Sequence, residues 1–389
     1  MKPERSSPAQ PGVDAGGSAL ERGTAAGRPG PPRIPALDAA RALAVVAMVA
    51  GHTLDALLAL GARTDPLAIA YWKARGLTAP VFLMASGWAV TVAIRRSGAR
   101  GLEIPRGRLP RVVLLLAIAY ALRWPGWGAD RLASGDAEVW AHLLAFDALH
   151  TIAVALLAAA GVLALPLADR ARAGAFALLA VLAVALGMGG RAPLPVDPAA
   201  LPPPLLAMAA AQAAGGTSPF PLFPWAAHFF VGGLVGLLGG GRARALAALG
   251  AALVAATCWT GVGTMPPGHP VLFAFRTGAV LLLFAALSAV PARAAAALAP
   301  IGRASLGVYA IHLPVVYGWS TYDGLATRIG PRLGALQALA VAAAVLAGSF
   351  ALHRAGTAAL RAGRSAATRL AARWPVGAGA SEQGAPPDP

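Results

Sequence analysis

The segment RALAVVAMVAGH, residues 41–52, is almost wholly apolar, yet it opens on Arg41 and closes on His52. Arg41 and His52 are eleven residues apart. At 100° per residue that is three turns plus about 20°, so a helix carries both on one face, about 16 Å apart along its axis. Asp38 stands one turn before Arg41, and Asp55 one turn after His52. These i,i+3 spacings allow each carboxylate to reach its basic neighbour. Ionisable side chains are costly in a membrane helix and mark functional sites by default. The plainer readings are an Arg41 that snorkels to headgroups and a His52 that cross-links two helices as neutral imidazole.

Composition makes the membrane setting the default. The 389 residues have a mean hydropathy of +0.64, with 57% hydrophobic and only 12% charged residues. A soluble domain usually carries about 25% charged residues. Runs long enough to cross a bilayer fall near 36–60, 77–94, 110–124, 147–168, 174–190, 222–240, 244–261, 270–290, 303–320 and 333–353. The expected fold is therefore an all-α polytopic bundle of about ten transmembrane helices. Residues 36–354 form the membrane domain. Residues 1–35 are a disordered tail, and 355–389 are basic and then disordered.

The net charge of +16 does not require nucleic acid as a partner. Alternating the loops from an inside N-terminus puts 22 Lys and Arg inside and eight outside, with Arg41 and Arg276 within helices. That bias places both termini in the cytoplasm. The cluster RRSGARGLEIPRGRLPR, residues 95–111, reads first as a positive-inside determinant and second as a grip on an anionic cofactor. The single cysteine, Cys258, rules out an intramolecular disulfide and reads as a small apolar filler. No HExxH spacing or cysteine cluster suggests a metal site, and no Walker or GxGxxG sequence is present. The segment GMGGRAP, 187–193, is only a loop signal.

Other apolar runs carry polar residues at similar depth. FDALHTIAVALL holds Asp147 and His150, again at i,i+3; FPLFPWAAHFFVGG holds His228; HPVLFAFRTGAVLLL holds Arg276; IGRASLGVYAIHLPVVYGW holds His312. With the topology above, these residues and His52 lie in the outer half of the membrane, which suggests one water-accessible cavity. A histidine beside a carboxylate suits general-base work, and an arginine nearby can stabilise an oxyanion. His142, His269 and His353 sit at loops or helix ends and receive no role.

Together these segments resemble the acyltransferase-3 superfamily of membrane acyltransferases. PALDAARALAVVAMVAGH resembles its first helix, with Arg41, ten residues, then His52. LTAPVFLMASGWAV resembles its Phe–Ser–Gly segment through Phe82, Ser86 and Gly87. IGRASLGVYAIHLPV resembles its late segment through Ser305, Tyr309 and His312. FDALHTIAVALL and FPLFPWAAHFFVGGLVG are most similar to the heparan-alpha-glucosaminide N-acetyltransferase branch, also labelled DUF1624. Where the family usually has Arg–Gly, this chain has Arg41–Ala42.

The resemblance implies transfer of an acyl group, usually acetyl, from cytoplasmic acyl-CoA to an acceptor across the membrane, often a carbohydrate. A bacterial-type inner membrane is the expected location. His52, Asp55, His312 and His150 are then the catalytic candidates, with Arg41 and Asp38 on the cofactor side. Arg276, His228, Asp147, Ser86 and Tyr309 line the substrate cavity. The competing expectations are a secondary transporter with an intramembrane His/Arg relay and a non-catalytic membrane scaffold.

Overall fold

The computed structural model describes residues 34–124, 126, 129–188, 218–239, 242–266 and 268–373. The expected tail at 375–389, nearly all of that at 1–35 and most of 187–193 lie outside these residues.

The chain is a helix bundle. Its first half comprises α1 (Pro35–Leu57), α2 (Pro66–Arg75), α3 (Thr78–Ser97), α4 (Glu103–Leu122), α5 (Ala129–Ala133), α6 (Ala137–Leu144), α7 (Ala148–Ala164) and α8 (Asp169–Met188). There follow α9 (Leu222–Leu237), α10 (Ala243–Thr257), α11 (Pro270–Ala289), α12 (Ala292–Arg303) and α13 (Ser305–Tyr317). A two-residue hairpin pairs β1 (Gly318–Trp319) with β2 (Tyr322–Asp323), and α14 (Leu325–Arg328) and α15 (Ala335–Arg373) complete the chain. Local chemistry sets many of these boundaries. Proline opens α1, α2 and α11, where its missing N–H costs nothing. Asp65, Asp136 and Asp147 cap the helices that follow them. Gly98, at φ 69°, ends α3 in the left-handed conformation.

A helix occupies each of the ten apolar runs, but the ten-span count is not reached. Among the described residues, five helices, α1, α3, α8, α11 and α15, have the length and composition to cross a bilayer, and counting two bent pairs makes seven. The reasons are physical. In α4, Glu103, Arg106, Arg108 and Arg111 crowd the first half. Helices α9 and α10 have 16 and 15 residues, about 24 and 22 Å against a hydrocarbon core of about 30 Å. The run at 303–320 holds only the 13 residues of α13, about 20 Å, which follows α12 across a 52° bend and ends at the hairpin. The bend between α6 and α7 is 59°. Helix α15 continues well beyond residue 353. Cys258 is exposed at the end of α10, so it fills no core space.

Small residues allow the closest helix approaches, as expected where lipid removes much of the hydrophobic drive for helix association. Gly87 of α3 meets the Phe229 carbonyl of α9, and Gly232 of α9 meets the Met84 carbonyl of α3, so a Cβ at either place would overlap backbone. Gly302 of α12 packs in the same way on the Asp38 carbonyl of α1. Around these contacts, Leu83, Phe176 and Phe229 form one buried cluster, and Met84, Trp88 and Phe284 another. A third, built on Val45, Val49, Val308 and Val316, joins α1 to α13. It brings His52 and His312 to the same level.

Candidate active site

His52 and His312 are 260 positions apart in the chain, yet their ring centroids lie 5.4 Å apart with the planes at 40°. His52 is half-buried, and His312 is wholly buried. The His312 Nδ1 is 2.8 Å from the carbonyl oxygen of Val308, one turn back on α13. A carbonyl only accepts, so Nδ1 carries the proton and Nε2 keeps its lone pair. That Nε2 is buried and has no hydrogen-bond partner.

The expected direct pairing of His52 with Asp55 is not what forms. His52 Nδ1 contacts the Tyr317 hydroxyl at 3.0 Å, and that hydroxyl donates to Asp55 Oδ2 at 3.5 Å. Asp55 is instead paired with Arg75 of α2, at 3.4 Å. One turn on, the Asp55 side chain has leaned away from the imidazole toward a full positive charge. Helix α2 folds back against α1 to supply that charge. The Arg75 guanidinium also lies 5.9 Å from the centre of the Trp72 ring, and the Tyr71 hydroxyl donates to the Ala47 carbonyl at 3.3 Å. Burial pushes the Tyr71 hydroxyl above its usual pKa, which keeps it a donor.

On the other side of His312 stands Tyr309, its ring edge-on at 5.9 Å. Its hydroxyl, the Asp147 carboxylate and the Arg123 guanidinium lie within electrostatic reach of one another. Asp147 also caps α7, accepting from the backbone N–H of Leu149 and His150. His150 answers reciprocally, its Nδ1 lying 3.2 Å from both the Asp147 N–H nitrogen and Oδ1. Its ring is wholly buried between Tyr120 and Phe146, at 4.6 and 5.1 Å. His150 is thus a helix-capping residue, with no contact to His52 or His312 among the described residues.

By direct contact, the five basic residues expected around one cavity fall into two groups. His228 and Arg276 sit apart, on α9 and α11. His228 touches Phe273 at 4.6 Å and faces Thr277 Oγ1 at 3.5 Å, while Arg276 lies 5.4 Å from the centre of the Trp225 ring. Among the described residues, no hydrogen bond, ion pair or ring contact joins them to His52 or His312.

Arg41 lies farther down α1. It meets Asp38 at 4.0 Å and donates to the Ala85 carbonyl of α3 at 3.3 Å, next to Ser86. Arg95 is ten residues farther along α3, about 15 Å away. There Arg95, Arg100 and Arg172 line a cavity of about 710 Å³ between the α3–α4 and α7–α8 connections. Asp169 neutralises part of that charge, bonding Arg95 at 2.9 Å and Arg172 at 3.3 Å. Leu163, which also lines it, is thirteen residues from His150, so the cavity lies about 20 Å along α7 from the histidine end. The basic cluster at 95–111, read first as a topology signal, therefore also builds a cavity wall.

Sequence reasoning missed Tyr317, Arg75 and Arg123. Tyr317 is five residues beyond His312 and past Pro314, outside the i,i+3 and i,i+4 spacings that flag a shared face. Arg75 lay in a segment taken as a loop, and Arg123 at the outer end of the 110–124 run was counted only as an outside charge.

Two imidazoles in contact, at least one presenting an unshared Nε2, can remove a proton from an acceptor or carry a group between donor and acceptor. A search of curated proteins found no match to the chain. The acyltransferase-3 model, described as an acyltransferase domain, matches residues 34–354, which takes in α1 to α14 and the apolar part of α15. The chain belongs to the acyltransferase-3 family of membrane acyltransferases.

Proposed function

We infer that the protein moves an acyl group, acetyl in the first instance, from acyl-CoA on the cytoplasmic side to an acceptor on the other side of a bacterial-type inner membrane. The acceptor is a carbohydrate of the envelope. Within the family, the resemblance of the segments at 146–157 and 220–236 supports a reading close to the heparan-alpha-glucosaminide N-acetyltransferase branch. The observation that carries this reading is the meeting of His52 and His312 at 5.4 Å.

The donor's phosphates suit the arginine cavity, which three arginines and one aspartate line. Arg41 and Asp38 stand between that cavity and the histidines, on the path of the acyl arm. The acyl C–S bond breaks, and a C–O or C–N bond forms to the acceptor. The acceptor's proton passes to an imidazole and then to the departing thiolate, which leaves as free thiol. Ser86 and Tyr309 border the route, and Arg276, with His228 near it, supplies a cationic flank.

The test is purified protein in vesicles, with radiolabelled acetyl-CoA and sugar acceptors. Wild type transfers label, and His52→Ala abolishes transfer while expression and folding are retained. Undiminished transfer by that variant rejects the mechanism. Solute uptake by wild type without acyl-CoA would favour a transporter.

A further inference from the structure

The two histidines are held in different ways. His312 is oriented by its own helix through the Val308 carbonyl, so its geometry is local to α13. His52 has no such bond to α1. Its one hydrogen-bond partner among the described residues is the hydroxyl of Tyr317, which comes from the end of α13. Tyr317 in turn reaches Asp55, which is held by Arg75 from α2. Three elements therefore converge on the orientation of one ring.

The proton positions follow from what each group can do. Asp55, paired with a guanidinium, is a carboxylate and can only accept. Of its two acceptors, the nearer neutral His52 Nδ1 at 3.0 Å and the charged Asp55 Oδ2 at 3.5 Å, the single Tyr317 proton is assigned to the charged one. The hydroxyl oxygen then turns a lone pair toward His52 Nδ1 at 3.0 Å. Two lone pairs at that distance repel, so Nδ1 must carry a proton. Nε2 is left as the basic nitrogen, as in His312. We propose that Tyr317, held by Asp55 and Arg75, is a positioning residue that fixes His52 as the Nδ1–H tautomer with a basic Nε2. Without the hydroxyl, neither the ring's rotation nor its tautomer is set. The proposal rests on the acyltransferase reading for its catalytic consequence, but its structural content stands without it.

The experiment uses full-length protein in lipid nanodiscs with ¹⁵N-labelled histidine rings. The His52 signals are assigned by difference against His52→Gln. In wild type, His52 shows a protonated Nδ1 and an unprotonated Nε2. In Tyr317→Phe, which preserves the ring, the His52 pattern changes to mixed tautomers while the His312 signals stay as they are. Transfer by that variant falls roughly 10- to 100-fold in kcat with the acyl-CoA KM within about twofold. Asp55→Asn moves the same signals, and adding it to Tyr317→Phe lowers kcat little further, as expected of one chain. A protonated Nε2 on His52 in wild type, or an unaltered His52 pattern in Tyr317→Phe, overturns the proposal. A tautomer that responds as described in a protein without acyl transfer refutes the acyltransferase reading and leaves the positioning role intact.

Discussion

Replacing Gly87 by alanine adds one methyl group where α3 and α9 touch. The added Cβ would overlap the Phe229 carbonyl oxygen and lie 2.9 Å from its carbon and from the Gly233 nitrogen. Those neighbours are backbone, with no rotamer to swing aside. Carbon contacts settle at about 3.5–4.0 Å, so the helices must part by roughly 1 Å, a gap that forfeits a quarter to a half of each facing contact. Overpacking of this kind costs about 1–3 kcal/mol. The rigid site and the opposing Gly232–Met84 contact argue for the upper end. About 3 kcal/mol is roughly a hundredfold in the folding equilibrium.

The control is Gly161→Ala on α7, where a Cβ meets nothing within 4 Å. It gains up to about 1 kcal/mol from helix propensity. Unfolding in detergent micelles with increasing dodecyl sulfate, followed by tryptophan fluorescence, separates the two variants. A further consequence is local. The Ala85 carbonyl is two residues from Gly87, and a shift of about 1 Å would take its 3.3 Å bond from Arg41 past hydrogen-bonding range. A Gly87→Ala protein as stable as wild type would refute the close-contact reasoning, whatever Gly161→Ala does.

Asp147→Ala removes the cap of α7 and costs about 1–2 kcal/mol by the same unfolding assay, whereas Asp147→Asn keeps the cap and most of the stability. If the two variants unfold alike, Asp147 matters for charge beside Arg123 and not for capping. Arg100→Gln leaves stability within about 0.5 kcal/mol, because its side chain is exposed. If the arginine cavity holds the donor, that variant raises the acyl-CoA KM about tenfold at unchanged kcat; an unaltered KM removes Arg100 from the donor site.

Much of the bundle was legible because membrane helices are long, apolar and separated by charged loops. All ten apolar runs became helices, and the Arg41–Asp38 pairing followed from helical spacing alone. Bends were missed. The break between α12 and α13 falls at Ala304, just after Pro300 and Gly302, a breaker signal that the sequence reading did not use, and it makes His312 and Tyr317 part of a short helix with its own direction. The Asp55 prediction failed for a related reason. An i,i+3 spacing shows that two side chains can meet, but a guanidinium from another element competes for the same carboxylate and wins. The meeting of His52 with His312 was expected only as shared depth, since contact between helices depends on how α1 and α13 rotate. His150 shows the converse, because its spacing from Asp147 was read correctly as contact. The contact serves the start of a helix.

Helix α15 has 39 residues, about 58 Å, while a bilayer's hydrocarbon core takes up about 30 Å. Its apolar first half ends at His353, and Arg354, Arg361, Arg364 and Arg369 all lie on the remainder. At that junction a Cβ on Gly307 would come within 2.7 Å of the His353 ring carbons, so the rod bears directly on α13, five residues before His312. Lipid composition thereby gains a mechanical handle on the histidine pair. Thickness sets how far the rod must tilt, headgroup charge pulls on its arginines, and both loads reach α13 through Gly307 and through Val345 and Phe350, which pack in the cluster of Val308.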